Sequence, residues 1–115
     1  MAIERRANLR VPVVWKATIT RLSGEQILGS TDNVARDGLN IILSKSLGVG
    51  ESVTIDLVTK CAGQTCYFRM QGATVYIDPL QSNLGVAVGV ALHSPDQRFE
   101  ALVIELEQQH AGQSS

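Results

Sequence analysis

The chain has 115 residues, enough for one domain with a modest core and no need of metal or disulfide staples. Its 10 Lys and Arg against 11 Asp and Glu leave a net charge of −1, which argues against a long nucleic-acid polymer as partner and confines any positive surface to one place. Hydrophobic residues make up 44% and charged residues 18%, the balance of a folded globular domain; no apolar run reaches the length of a membrane span, and no signal-peptide pattern opens the chain.

Taken in chain order, Val11, Val13, Trp15, Ala17 and Ile19 alternate with more polar neighbours and predict a half-buried strand over 11–20. Leu22–Gln26 carries Gly24 and reads as a turn, followed by a second strand over Ile27–Thr31. The stretch "TDNVARDGLN" breaks the alternation and reads as an inter-strand turn before a third strand, Leu39–Leu43. "SKSLGVGES" is a loop, and Val53–Thr59 alternates again. Lys60–Cys66 predicts a hairpin turn around Gly63, and Tyr67–Ile77 a strand bulged near Gly72. Leu84–Leu92 supplies the last strand. A helix comes next over 94–110, with Ser94 as N-cap, Pro95 at the first helical position, and Phe99, Leu102, Val103 and Leu106 as its apolar stripe. The tail beyond is expected to fray.

The expected fold is all-β with a C-terminal helix: a small six- or seven-stranded antiparallel β-barrel capped by that helix. The whole chain, 1–115, is one domain, with a flexible arginine arm over 1–10, the barrel over 11–93 and the helix over 94–110.

Arg5, Arg6 and Arg10 crowd that arm in an otherwise charge-balanced chain. A guanidinium is a planar fork of donors that suits phosphate oxygens and grips the O6/N7 edge of guanine with two hydrogen bonds. In "DNVARDGLN", Asn33 can bond locally or to a base edge, and Gly38 can take a positive φ or let a ligand approach. As a simple charged terminus and a simple turn, the two segments would mean nothing together.

Together they resemble the PilZ domain, a small bacterial β-barrel that binds the second messenger cyclic di-GMP. That family carries R-x-x-x-R in an N-terminal arm and then a [D/N]-x-S-x-x-G turn. Arg6 and Arg10 match the first element, with Arg5 completing the frequent double arginine, and Asn33, Ala35 and Gly38 match the second. "GVAL" at Gly89–Leu92 is similar to the family's late-strand Gly-Val pattern, so the resemblance covers nearly the whole chain. It implies that Arg6 and Arg10 clamp the phosphates and guanine edges, that Arg5 stacks on a guanine, that Asn33 contacts a guanine from the other side, and that Gly38 keeps the turn open. It also implies that arm ordering on binding carries the signal to an effector protein or a tethered domain. Ala35 stands where the family usually has Ser, so one hydroxyl contact is missing. A single hydrogen bond is worth about 1 kcal/mol, so binding should be weakened several-fold rather than abolished.

The resemblance implies no cofactor, no metal, no catalytic residue and no direct membrane insertion. It leaves two alternatives: a degenerate adaptor that binds no nucleotide, as in motility or pilus assembly, and the regulatory domain of a larger exopolysaccharide synthase in biofilm formation. A cytoplasmic location is expected, as a separate protein or as the cytoplasmic part of a larger membrane protein. An RNA- or single-strand-binding barrel would need aromatics beside a basic groove, and aromatic residues are only 4% of the chain.

The remaining chemistry-bearing residues read as structural. Cys61 and Cys66 have no further Cys or His nearby and are expected as two ordinary thiols in a reducing compartment. His93 and His110 read as surface or turn residues, Asp32 and Asp37 as solvated loop carboxylates, and Trp15 and Tyr76 as packing residues. Asp37 is also a candidate partner for an arm arginine in the empty state. Nothing resembles a catalytic triad or phosphate loop, and no enzymatic activity is expected.

Overall fold

The computed structural model describes residues 9–81 and 84–113. Six strands, β1 (Lys16–Arg21), β2 (Gln26–Ala35), β3 (Gly38–Leu43), β4 (Ser52–Cys61), β5 (Gln64–Pro79) and β6 (Val86–His93), precede one helix, α1 (Gln97–Gln113). All pairs are antiparallel, and the sheet closes on itself in the order β1-β2-β3-β6-β5-β4. Closure leaves no free strand edge among these six.

The alternation seen in the sequence is the wall of this barrel. Ile19 and Ile27, Ile41 and Leu43, Val53, Ile55 and Leu57, Phe68 and Met70, and Val88 and Val90 all point inward and are buried. The helix covers the barrel with Phe99 and Val103, both fully buried. The Phe99 ring meets Trp15 edge-on at 6.4 Å and Phe68 at 5.9 Å between centroids.

Several boundaries differ from the sequence reading. The first strand starts at Lys16, because residues 11–15 leave the β1 line and lie against β2. Val11 pairs with Val34, and the buried Thr31 hydroxyl accepts from Trp15 N at 2.8 Å while donating to Val13 O at 2.6 Å. β2 does not stop at Thr31 but runs on to Ala35, so Asn33 is a strand residue paired with Asn40, and only Arg36 and Asp37 form the turn. The helix begins at Gln97 and continues past 110 to Gln113. Its cap is Asp96 rather than Ser94: Asp96 Oδ1 accepts from Arg98 N at 2.7 Å and Phe99 N at 3.4 Å, whereas Ser94 sits at φ 50° outside the helix. The β4–β5 turn is the expected one around Gly63; Ala62 and Gly63 both have positive φ, as a two-residue type I′ hairpin requires. Cys61 and Cys66 flank that turn as a disulfide, with Cα atoms 5.9 Å apart, so they are not the two thiols expected and give no argument for a reducing compartment.

Two β-bulges decide which side chains reach the outer face of the barrel. In β2 the register slips between Thr31 and Asn33, and in β5 between Thr74 and Tyr76, not near Gly72. One inserted residue reverses which face every later side chain occupies. Before the bulges, Ile27, Thr31, Phe68, Met70 and Thr74 face inward; after them Val34 and Ile77 do, and Asn33 and Tyr76 are turned to the outer face.

Candidate functional site

The site begins where the N-terminal segment meets β2. Val11 exchanges both backbone hydrogen bonds with Val34, N to O at 2.8 Å and 2.9 Å. That anchor holds Arg10 beside the end of β2, and Arg10 Nη1 donates to Asn33 Oδ1 at 2.8 Å across 23 residues of sequence. Asn33 Nδ2 in turn donates to Asp32 Oδ2 at 3.1 Å. The bulge makes this contact possible: without it, Asn33 would face the core and Asp32 would stand in its place. Arg10 and Asn33 thus form a polar step on the open outer face, and both are accessible to solvent.

Ala35 and Gly38 close the same hairpin as a directly opposed pair. Ala35 is buried at 4% exposure, on the Asn33 side of the strand. Gly38 does not use the positive φ expected of it. It is there for space: a Cβ would fall 2.9 Å from the Val90 carbonyl oxygen of β6. The hairpin tip is tied down twice. Leu92 N donates to Asp37 O at 3.0 Å, and Arg36 forks onto Glu107 of α1, Nη2 to Oε1 at 2.7 Å and Nε to Oε2 at 3.1 Å. The Glu107 hydrogen bond holds the Arg36 guanidinium above its ordinary pKa. The described partner of Arg10 is therefore Asn33 and not Asp37.

Of the residues singled out in the sequence, the structure brings together Arg10, Asn33, Ala35 and Gly38. Arg5 and Arg6 lie outside the described residues. His93 and His110 are exposed, Trp15 is core, and among the described residues no three His, Cys, Asp or Glu side chains group to hold a metal.

Sequence reasoning misses what continues this face beyond β2. Asn33 stands opposite Asn40 on β3, Asn40 opposite Gly89 on β6, and Gly89 opposite Tyr76 on β5. Tyr76 is not a core residue; it is 41% exposed, and its ring lies over Gly89 so closely that a Cβ there would be 2.2 Å from Cε2. Asn40 Oδ1 is buried without a hydrogen-bond partner, alone in this among the described side chains. Such an orphaned acceptor ordinarily costs about 1–3 kcal/mol. The signals exist in the sequence as a lone Asn in the apolar run "GLNIIL" and a Gly in "VAVGVAL", but only the register brings them together. Surface depressions of 390 Å³ beside Trp15 and 480 Å³ over β1 and β2 share no residue with this face.

No protein-family model matches the chain, and no curated protein matches it. Among solved structures, the Bacillus subtilis inhibitor of motility (MotI/DgrA) superposes with a TM-score of 0.81 at 17% identity, over 96% of this chain and 53% of that one. The PilZ domain of YcgR from Escherichia coli with c-di-GMP gives 0.71 at 11% identity, over 96% of this chain and 98% of that one. The fold is that of a PilZ domain. The larger YcgR structure from Escherichia coli, in complex with c-di-GMP, gives 0.74 at 12% identity over 97% of this chain and 50% of that one. The chain thus spans about half the length of two of these structures and nearly all of the PilZ domain. No helix among the described residues is long and apolar enough to cross a membrane.

Proposed function

We propose that this PilZ-fold domain is a receptor for cyclic di-GMP, held by the arginine arm and the Asn33–Gly38 hairpin. The observation that carries the reading is the Arg10–Asn33 hydrogen bond: the last residue of the arginine element already touches the first of the hairpin element, on an exposed ledge of the barrel. In this reading Arg10 and Arg6 take phosphate oxygens and the O6/N7 edge of a guanine, Arg5 stacks on a base, and Asn33 faces the base from β2. The solved neighbour bound to c-di-GMP has the same fold, which supports the choice of ligand. The output is a change in a partner or a tethered domain when the arm closes over the nucleotide, and the Arg36–Glu107 tie offers α1 a share in that change.

A second reading has one observation in its favour. Ala35 lacks the usual hydroxyl, as a nucleotide-free adaptor would allow. A thermal-shift series separates the two. Under the receptor reading, saturating cyclic di-GMP raises the melting temperature by several degrees while GTP, GMP and cyclic di-AMP do not. An unmoved melting temperature with every nucleotide favours the adaptor.

A further inference from the structure

Asn33, Asn40, Gly89 and Tyr76 form one cross-strand row over β2, β3, β6 and β5 on the outer face of the barrel. Each residue of the row has a buried neighbour pointing the other way: Val34, Leu39, Val88 and, past Tyr76, the partly buried Ile77. The row therefore has a polar end at Arg10 and Asn33, an aromatic end at Tyr76, and between them Asn40 beside a glycine that contributes no side chain.

The hydrogen-bond inventory along this row is lopsided. An arginine only donates. Asn33 Oδ1 already accepts from Arg10, and Asn33 Nδ2 already donates to Asp32. Asn40 Oδ1 is the acceptor with nothing to accept. A guanine presents the complementary need: its O6 and N7 take hydrogens from an arginine, while its N1–H and 2-amino group must give theirs to an acceptor. An adenine has a lone pair at N1 where guanine has a hydrogen, so an acceptor there discriminates between them.

We propose that Asn40 is a base-contacting residue, its Oδ1 accepting from the N1–H and 2-amino edge of a guanine seated on the row between Asn33 and Tyr76. This rests on the cyclic di-GMP reading above. The Tyr76 ring closes the row in the empty protein by lying on Gly89. No hydrogen bond to another described residue holds the half-exposed Tyr76, so its ring swings aside and the base takes its place on the glycine. Asn40 then selects guanine over adenine, and the orphaned carbonyl of the empty state is a binding group awaiting its donor.

The test is a calorimetric titration of wild type, Asn40→Leu and Asn40→Asp with cyclic di-GMP, each checked for its melting temperature. Leucine keeps the shape and removes the acceptor; aspartate keeps the acceptor and removes the donor. The expected result is that Asn40→Leu melts at or above the wild-type temperature and binds at least about ten-fold more weakly, while Asn40→Asp stays within about three-fold of wild type. Wild-type affinity in Asn40→Leu overturns the proposal and leaves the receptor reading standing. Equal loss in both variants also overturns it, and if the leucine variant fails to fold, loss of binding in Asn40→Asp alone does so. A wild type that binds no cyclic di-GMP overturns the receptor reading and this proposal with it.

Discussion

Arg36 at the tip of the β2–β3 hairpin and Glu107 of α1 form a two-point ion pair, at 2.7 Å and 3.1 Å, with the Glu107 side chain only 8% exposed. Replacing Arg36 strands a carboxylate that the helix keeps out of water. Arg36→Ala should therefore lower the urea midpoint. Lys45→Ala, which removes an exposed side chain and leaves the half-buried Glu25 its second partner Arg21, should cost clearly less. Urea denaturation of both variants checks this; equal midpoints would show that the Arg36 pair does not hold the helix to the hairpin.

Gly29 and Gly89 have the same clearance, 2.2 Å from an added Cβ to the nearest atom, yet they should respond differently. At Gly29 that atom is the Ile42 backbone carbonyl oxygen, which cannot move without the strand. At Gly89 it belongs to the Tyr76 ring, which can rotate into solvent. Gly29→Ala should destabilise by about 1–3 kcal/mol and Gly89→Ala by less than about 1 kcal/mol. In the second variant the Tyr76 ring resonances should shift in an NMR spectrum. A large loss of stability in Gly89→Ala would mean that the ring is fixed where it lies.

At the far end of β2 from the site, Arg21 forks onto Glu51, while Gly48 N also donates to that carboxylate at 2.8 Å. Arg21 chiefly, then Gly48, hold Glu51 below the ordinary carboxylate range, and Lys45 foremost does the same for Glu25. A carboxyl whose folded pKa lies below its unfolded value of about 4.3 stabilises the fold above that value and loses the contribution as pH falls through the folded one. The melting temperature should be level from about pH 7 to about pH 5 and fall below that. Glu51→Gln should start lower and show a shallower fall. A parallel fall in variant and wild type would assign the acid sensitivity to other groups.

Ala35 sits opposite Gly38 on the Asn33 face of β2. Ala35→Ser adds a hydroxyl there, and it should tighten cyclic di-GMP binding several-fold, the worth of about one hydrogen bond. An unchanged dissociation constant would mean that the ligand does not reach this position.

The barrel is legible in the sequence because its walls have period-two alternation, as in Val53, Ile55 and Leu57, and because the helix carries a 3.6-period stripe through Phe99 and Val103. The bulges at Asp32 and Val75 are not. Nothing in either side chain announces an extra residue, and the slip emerges only when partner strands are counted against each other. That is also why the sequence alone does not show Tyr76 packing across strands on the outer face, over Gly89, and why Asn33 reads there as a turn residue. Asp96 is hidden as a cap by Ser94 two residues earlier, since both side chains can serve and only the backbone at Ser94 decides. The disulfide escapes a sequence reading because a five-residue spacing across a hairpin is equally compatible with two thiols. The paired motifs bring Arg10 and Asn33 to attention together, but their direct hydrogen bond depends on the Val11–Val34 bridge, which no motif encodes.

Whether the arginines hold a cyclic dinucleotide is tested most directly by a calorimetric titration of the wild-type protein with cyclic di-GMP, run beside an Arg6→Ala, Arg10→Ala double variant of equal melting temperature. The expected result is saturable binding by the wild type and its loss in the variant. A folded wild type that gives no binding heat at any temperature, or a double variant that binds as tightly, would contradict the receptor reading.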